Sequence, residues 1–520
     1  MRKAIGAALV CGACAIGAPP DAAHADRASA RLAEPAAIPR FTTFGWVSPP
    51  IAFTTPERYA ELAGAGMNVA ITAWDDPHTA AENLHRMDCA AAAGVRCLVA
   101  DDRFDRVAAL GFTTPAAGAL LDSIVHDYRD HPGFLGYYFR DEPKSPDWPG
   151  LASVFAELRR RDPDHPAWDN LSGIGDSASW VADNTGYVEH VHPAVLCNDH
   201  YDFRIGFDYG LFIVNIAGLR AWSLRYGIPF WCAIQLVPHA NLRTLTEGEV
   251  TWQVAMLLAY GARGLGYFTY WTPAPDSTLH WGLAIVGYDA VRTPWYDVIA
   301  RLNARARPAG ELLAGLTWIS SQHAGSLPLG GAPFRGDDWI AGVGGRAAIG
   351  RFTDAAGVPY AVVVNSDSLA ARVVTLDLAG AGGASRFDER SRGWTPLATA
   401  PSGGQLRLSL ALAAGDFAVL RIEGTFARRG AIGPALAVAP NPARGAVRFD
   451  VDRLAGGARL DVIDAGGRKI FSRALAAGRA SLAWNGERDA GGAAPAGVYL
   501  AVVRDARGMT ARRWTWLGPR

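Results

Sequence analysis

The sequence predicts a (β/α)₈ barrel over residues 41–315, followed by two β-sandwich domains. Three observations predict it. Eight apolar, strand-like runs lie between Phe41 and Trp271, with helical or loop material after each. No Gly-rich phosphate loop follows the first run, which argues against the competing doubly wound open sheet. After about residue 316 the helical periodicity stops, and short alternating runs between Gly-rich turns replace it.

The strand-like runs are FTTFGW (41–46), MNVAITAW (67–74), VRCLVA (95–100), FLGYYF (134–139), PAWDNL (166–171), AVLCND (194–199), PFWCAIQ (229–235) and GLGYFTYW (264–271). The first helix, PERYAELAGAG, carries Thr55 as N-cap and Pro56 at its first position, and ends in Gly. AAENLHRMDCAAAAG, TPAAGALLDSIVHDYRDHPG, LASVFAELRRRDP, LFIVNIAGLRAWSLRYG and EVTWQVAMLLAYGARG follow, and WYDVIARLNARARPAGELLAG closes the series. YAVVVNS, ARVVTLDL, QLRLSLAL and DFAVLRIE mark a β-sandwich over 316–425. FARRGAIGPA reads as a linker (426–435), and a last β domain spans 436–520.

At 520 residues the chain is long enough for two to four domains. Half of it is hydrophobic and 19% is charged, which excludes global disorder. The 50 basic and 50 acidic residues balance without a basic stripe, so nucleic acid is not an expected partner. The stretch MRKAIGAALVCGACAIGAPPDAAHA (1–25) reads as a secretory leader cleaved near Ala25, with 26–40 as an N-terminal linker. A lipidation site at Cys14 is the alternative there. The expected location is therefore secreted or cell-surface. Cys89, Cys97, Cys197 and Cys232 remain after cleavage. Their spacing matches no zinc motif, and no metal or cofactor is expected. Cys197 and Cys232 read as core; whether Cys89 pairs with Cys97 is open.

A barrel of this kind carries its site at the C-terminal ends of the strands, so those ends should be polar if there is a site. The first run ends at Trp46, the second at Trp74, Asp75 and Asp76, the third at Asp101, Asp102 and Arg103. The fourth ends at Arg140, Asp141 and Glu142. The fifth carries Asp169 and Asn170, the sixth Asn198, Asp199, His200 and Tyr201, the seventh Gln235, and the eighth Tyr270 and Trp271. Carboxylates and amides bind hydroxyls and indoles stack on pyranose faces, so a carbohydrate is the expected ligand. Glu142 is the expected catalytic residue, against a bland role capping a helix or pairing with Arg140. Strand alternation points Asp141 and Glu142 to opposite sides, leaving one of them structural. Asp199 and Tyr201 alternate onto one face, which serves a substrate or packing. Asp75 and Asp76, before Pro77, also suit a turn, and His200 is expected to pack rather than bind metal.

Three stretches of the barrel, HPGFLGYYFRDEP (131–143), TEGEVTWQVAMLLAYGARGLGYFTYW (246–271) and GYDAVRTPWYDVIARLN (287–303), resemble the clan of retaining (β/α)₈ glycoside hydrolases, most closely the β-galactosidases of family 42. The resemblance implies two glutamates. One on strand four protonates the leaving oxygen; one on strand seven attacks the anomeric carbon about 5 Å away. Glu142 matches the first. Two departures stand out: Asp141 where the clan has Asn, and Gln235 where the nucleophile belongs. An amide is a poor nucleophile. Glu247 and Glu249 lie nearby, but Thr246-Glu247-Gly248-Glu249 is a capping-box pattern.

Three readings stand together: a glycosidase with another partner for Glu142, such as Asp199 or Asp169 across an inverting gap; substrate-assisted hydrolysis of an N-acetyl sugar by Asp141-Glu142; and a non-catalytic sugar-binding barrel. In the first, the Glu142 pKa would be raised for acid catalysis. Trp46, Trp74, Asp75, Arg140, Asn170, Asn198, Asp199, Tyr201, Gln235, Tyr270 and Trp271 are the expected sugar-binding residues. VAPNPARGAVRFDV (438–451), LDVIDAGGRKI (460–470) and AWNGERDAGGAAPAGVYLAVV (483–503) resemble the Ig-like module of the flagellar hook-capping protein, also found at the C terminus of type IX secreted proteins. That resemblance implies secretion or cell-surface machinery as a partner.

Overall fold

The computed structural model describes residues 37–72, 76–174, 177–380, 382–424, 435–440, 443–454, 458–464, 468–505 and 508–518. The expected leader, most of the N-terminal linker, Trp74, Asp75 and nearly all of the 426–435 linker lie outside these residues. The chain divides into two compact units that meet in sequence at Thr425 and Phe426.

The first unit begins with eight parallel strands: β1 (Thr42–Trp46), β2 (Val69–Ile71), β3 (Arg96–Val99), β4 (Phe134–Asp141), β5 (Ala167–Asn170), β6 (Leu196–His200), β7 (Phe230–Gln235) and β8 (Gly264–Phe268). They hydrogen-bond in the order β5-β4-β3-β2-β1-β8-β7-β6. A parallel bridge between Leu171 and Asn198 closes the ring. This is the predicted barrel. Strand β8 stops three residues short of the predicted run, at Phe268 rather than Trp271. Among the described residues, nine α-helices surround the strands: α1 (Pro56–Gly64), α2 (Ala80–Ala92), α3 (Arg103–Leu110), α4 (Pro115–Tyr128), α5 (Trp148–Arg161), α6 (Ser177–Val191), α7 (Phe212–Tyr226), α8 (Glu247–Ala259) and α9 (Pro294–Leu313). Helices α3 and α6 are additional to those the sequence pattern marks.

The helix starts follow local chemistry. The Thr55 side chain accepts from Arg58 N, and Pro56 occupies the first turn, where no donor is missed. At α8, Thr246 and Glu249 close a reciprocal capping box, and Arg243 Nη2 donates to Glu249 Oε1 at 2.6 Å. Glu249 is therefore a helix cap, as the sequence pattern indicates.

Bulky rings fill the barrel interior: Phe44, Trp46, Tyr138, Trp168 and Trp231 pack with centroids 5.2–6.4 Å apart. Two glycines on β8 make room for them. A methyl at Gly264 would lie 2.5 Å from Trp231 Cδ1, and one at Gly266 would lie 2.0 Å from Phe44 Cε2. Cys89, Cys97, Cys197 and Cys232 are all buried free thiols, so Cys89 and Cys97 do not pair. No helix among the described residues is long and apolar enough to cross a membrane.

A β-sandwich completes the first unit. Its strands are β9 (Thr317–Ala324), β10 (Ile340–Gly344), β11 (Ala347–Thr353), β12 (Pro359–Asn365), β13 (Arg372–Leu378), β14 (Gly383–Asp388), β15 (Gly393–Pro396), β16 (Thr399–Ser402), β17 (Gln405–Leu412) and β18 (Phe417–Glu423). They form a six-stranded sheet, β15-β14-β18-β12-β11-β9, and a four-stranded one, β10-β13-β17-β16. The six-stranded sheet packs on α8 and α9. Ser321 Oγ donates to the Ala259 carbonyl at 2.8 Å, Tyr260 Oη meets His323 Nε2 at 2.9 Å, and Arg305 reaches Asp416 at 2.7 Å. Its place is that of a buttress.

The second unit holds β19 (Ala435–Ala439), β20 (Val447–Leu454), β21 (Ala458–Ile463), β22 (Lys469–Leu475), β23 (Gly478–Trp484), β24 (Gly497–Asp505) and β25 (Gly508–Trp516). They make a three-stranded sheet, β19-β20-β23, and a four-stranded sheet, β22-β21-β24-β25. Its core joins Phe449, Trp484, Tyr499, Trp514 and Trp516. Alternation along each strand supplies the inward rings.

The glycines of β8 generate a prediction. Gly266→Ala drives a methyl against the Phe44 ring, which is fully buried and cannot swing into solvent. Urea unfolding should show a loss of roughly 1–3 kcal/mol, as overpacked cores do. An unchanged midpoint would mean that the barrel interior is not packed as described.

Candidate active site

At the C-terminal mouth the decisive feature is in β4. Tyr138 pairs with Trp168 of β5, but the next partners are Arg140 with Asp169 and Asp141 with Asn170. Phe139 is thus an extra residue, a bulge that reverses the alternation. Tyr138 points into the barrel against Trp46 and Trp168. Phe139 faces out, against Phe104 and Phe112. Arg140 also faces out, its Nη1 2.7 Å from Asp147 Oδ1, and Asp141 then returns inward. Glu142 follows with φ of 43°, the left-handed region, and its N–H donates to the Asn170 carbonyl at 2.8 Å. Its carboxylate is half-exposed, 3.9 Å from Lys144 Nζ. Lys144 Nζ itself donates to Ser172 Oγ at 2.5 Å.

Inward from β5 comes Asn170, which is buried. Its Nδ2 donates to Asp141 Oδ1 at 3.3 Å and to Asp199 Oδ1 at 2.9 Å. Asp199 is the inward residue of β6, and the Tyr201 hydroxyl donates to it. Two carboxylates therefore share one amide, and the Glu142 carboxylate is near enough to repel both. Asp141 keeps exposed surface, yet the crowding of protein atoms around its carboxyl raises its pKa to about 6, with repulsion from Glu142 adding to it. Burial, then repulsion from Glu142 and Asp141, raises the Asp199 pKa to about 7. Asp169 lies behind the mouth, 1% exposed. It accepts from Arg140 N at 2.9 Å and Tyr187 Oη at 3.2 Å, and burial raises its pKa to about 8. The carboxyls that burial raises are thus these aspartates.

One wall of the mouth is aromatic. The Tyr201 ring lies 5.1 Å from Phe268, His239 lies 5.5 Å from Phe268, and Trp281 lies 4.5 Å from His239. All four are half-buried and present ring surface to solvent. Sequence reasoning names only Tyr201 among them. Phe268 was legible: Gly264 and Gly266 mark the inward face of β8, and period two leads to Phe268. His239 and Trp281 sit on loops, and no local pattern marks them. A cavity of about 200 Å³ adjoins the carboxylates without including them; Pro143, Lys144, Trp148, Ser172 and Trp180 line part of it.

Several expected sugar-binding residues are placed elsewhere. Trp46 is 3% exposed and packs in the barrel interior. Tyr270 and Trp271 are fully buried beyond the end of β8, where Trp271 packs on Phe53. Asn198 faces outward and exchanges hydrogen bonds with Asn215 of α7, at 2.8 and 3.2 Å. Arg140 is turned to Asp147. Gln235 is 1% exposed and fully engaged: its Oε1 accepts from Phe203 N at 2.9 Å, and its Nε2 donates to the Phe203 and Arg243 carbonyls at 2.9 and 3.3 Å. It braces two loops. Asp76 accepts from Ile51 N and pairs with buried Arg86, a structural role. His200 Nε2 lies 3.3 Å from Asp202. Among the described residues no group of three or more His, Cys, Asp or Glu is arranged to hold a metal ion.

The raised aspartates make stability depend on pH. A carboxyl whose pKa is higher folded than unfolded binds its proton more tightly in the folded state. That stabilisation is fully present below the unfolded value of about 3.9 and is lost as pH rises through the folded value. For Asp199 the window closes near 7. The melting temperature of the first unit should fall between pH 4 and 8, and fall less steeply in Asp199→Asn. Identical slopes for the two proteins would refute the assignment.

No family model matches the sequence, and no curated protein matches it. Among solved structures, the chain is similar to a β-galactosidase from the psychrophilic Marinomonas ef1, at 11% identity and a TM-score of 0.42, over 53% of this chain. The chain spans 62% of that β-galactosidase's length. It is similar to a glycoside hydrolase family 5 structure from Bacteroides vulgatus at 13% identity and a TM-score of 0.47, covering 75% of this chain and 90% of the other. It is also similar to a β-L-arabinopyranosidase from Geobacillus stearothermophilus at 11% identity and a TM-score of 0.44, covering 76% of this chain and 97% of that one.

Proposed function

We propose that this chain is a secreted glycoside hydrolase with Glu142 as general acid/base. The observation that supports it is the convergence of Asp141, Glu142 and Asp199 on one barrel mouth, beside the rings of Tyr201, Phe268, His239 and Trp281. A pyranose ring offers an apolar C–H face to such a wall and hydroxyls to such carboxylates.

In this reading Glu142 delivers a proton to the glycosidic oxygen as the bond to the anomeric carbon breaks. Strand seven supplies no nucleophile, because Gln235 is an amide with its hydrogen bonds already committed to Phe203 and Arg243. The second carboxylate is Asp199, oriented by Asn170 and Tyr201. It takes a proton from the attacking water as that water adds to the anomeric carbon. The acid limb of kcat/KM then falls near pH 7, where Asp199 ionises. The family resemblance of the barrel, the N-terminal leader and the hook-capping-like C-terminal unit complete the proposal, with that unit serving sorting or surface attachment.

The test is hydrolysis of a panel of aryl glycosides by the purified chain. Glu142→Gln should lower kcat by roughly 10²–10⁴-fold, the usual loss of a general acid. Oligosaccharide binding without turnover on any sugar would replace the proposal with a carbohydrate-binding barrel.

A further inference from the structure

Asn170 touches all three carboxylate-bearing residues at the mouth. Its carbonyl accepts from the Glu142 N–H at 2.8 Å, and its Nδ2 donates to Asp141 at 3.3 Å and Asp199 at 2.9 Å. It is 1% exposed and has no open face for a sugar. Below it, Cys197 Sγ lies 3.7 Å from Asn170 Oδ1. The same sulfur lies 3.9 Å from the Asn198 carbonyl. Burial raises the Cys197 pKa well above the usual thiol range, so the sulfur keeps its hydrogen and can donate it.

We infer that Asn170 is a positioning residue rather than a sugar ligand: its amide clamps Asp141 to Asp199 as one coupled pair, and the Cys197 thiol holds the amide the right way round. The chemistry of the amide requires the second part. Only the nitrogen carries hydrogens, so only one orientation can donate to two carboxylates. The reversed orientation would set an oxygen against two anions. A thiol hydrogen beneath Oδ1 favours the productive one.

The charged and titratable groups facing the pair come from β4 to β7 and the segments after them, the buried Cys232 thiol of β7 among them. Glu142 and Lys144 follow β4, Tyr201 follows β6, and Tyr138 and Cys197 lie beneath; Arg140 and Asp169 face the outer side. Lys144 is the nearby cation, but it sits beside Glu142 and Ser172. Donation from a neutral amide therefore carries much of the relief of repulsion between Asp141 and Asp199. The two carboxyls titrate as a pair and hold one proton between them near neutral pH.

The inference rests on the glycosidase reading for its catalytic meaning but not for its test. Asn170→Ala, Cys197→Ala, Cys197→Ser and the double Asn170→Ala/Cys197→Ala are made in the full chain. Proton release of the folded protein is followed by difference titration between pH 4 and 9. The pair's contribution is identified by its loss in Asp141→Asn and Asp199→Asn. Asn170→Ala should move that release upward by about one pH unit, the effect of losing a charge-assisted hydrogen bond. Cys197→Ala should move it the same way by less. Cys197→Ser, which keeps an O–H donor, should restore it, and the double variant should move it no further than Asn170→Ala. An unmoved release in Asn170→Ala, or full additivity in the double variant, would overturn the clamp. If Asn170→Ala does not fold, Cys197→Ala against Cys197→Ser carries the same decision. Where aryl glycosides are turned over, kcat/KM should fall roughly tenfold in Asn170→Ala with its acid limb displaced by the same shift. Absence of turnover in the parent protein would sink the glycosidase reading alone, because the titration is measured without substrate.

Discussion

A single slipped pairing between β4 and β5 decides which side chains reach the barrel mouth. With regular alternation after Tyr138, Arg140 would point inward and Asp141 outward. The extra residue, Phe139, reverses that order. The guanidinium goes out to Asp147, and the carboxylate comes in to Asn170. Phe139 itself is held by Phe104 and Phe112 on the outer face, so apolar packing fixes the bulge that the polar site needs. Bulges beside active sites commonly re-aim one side chain in this way.

What the bulge creates is electrostatically costly. Aspartates from β4 and β6 and a glutamate after β4 share a space floored by Trp46, Tyr138 and Trp168. The aromatic floor removes water; Glu142 makes ionisation of Asp141 harder, and both make ionisation of Asp199 harder. The protein offsets this with neutral donors. Asn170 serves two aspartates, and Tyr201 serves one of them again. A site arranged for stability alone would not crowd these groups. This local conflict with stability is what the proposed function draws on.

The rest of the first unit holds that mouth in place. Gln235 stitches the end of β7 to the loop after β6, and Arg243 extends the stitch to Asp208 and Glu249. The six-stranded sheet leans on α8, whose capping box begins just after this loop. The β-sandwich thus stabilises the barrel from the side. Gln235 had invited comparison with a lost nucleophile. Its three hydrogen bonds give it a different physical role, and they explain why a carboxylate there would leave two carbonyls without a donor.

By itself the sequence determined the barrel and the β-rich segments after it. Period-two and period-3.6 hydrophobic patterns report burial, and burial follows from composition and spacing along the chain. It also placed the helix caps at Thr55 and Thr246, because capping is a local hydrogen bond. It located the polar strand ends, since a barrel collects its loops on one face. The tertiary structure alone decided which of those polar residues face the mouth. Asn198, Gln235, Trp46, Tyr270 and Trp271 end barrel strands or follow them closely, yet their partners lie inside the protein. Direction depends on register with a neighbouring strand, and one inserted residue reverses it. His239 and Trp281 arrive from loops whose path no repeat encodes. The clamp of Asn170 between Asp141 and Asp199 joins side chains 29 residues apart on either side, a coincidence that only folding produces.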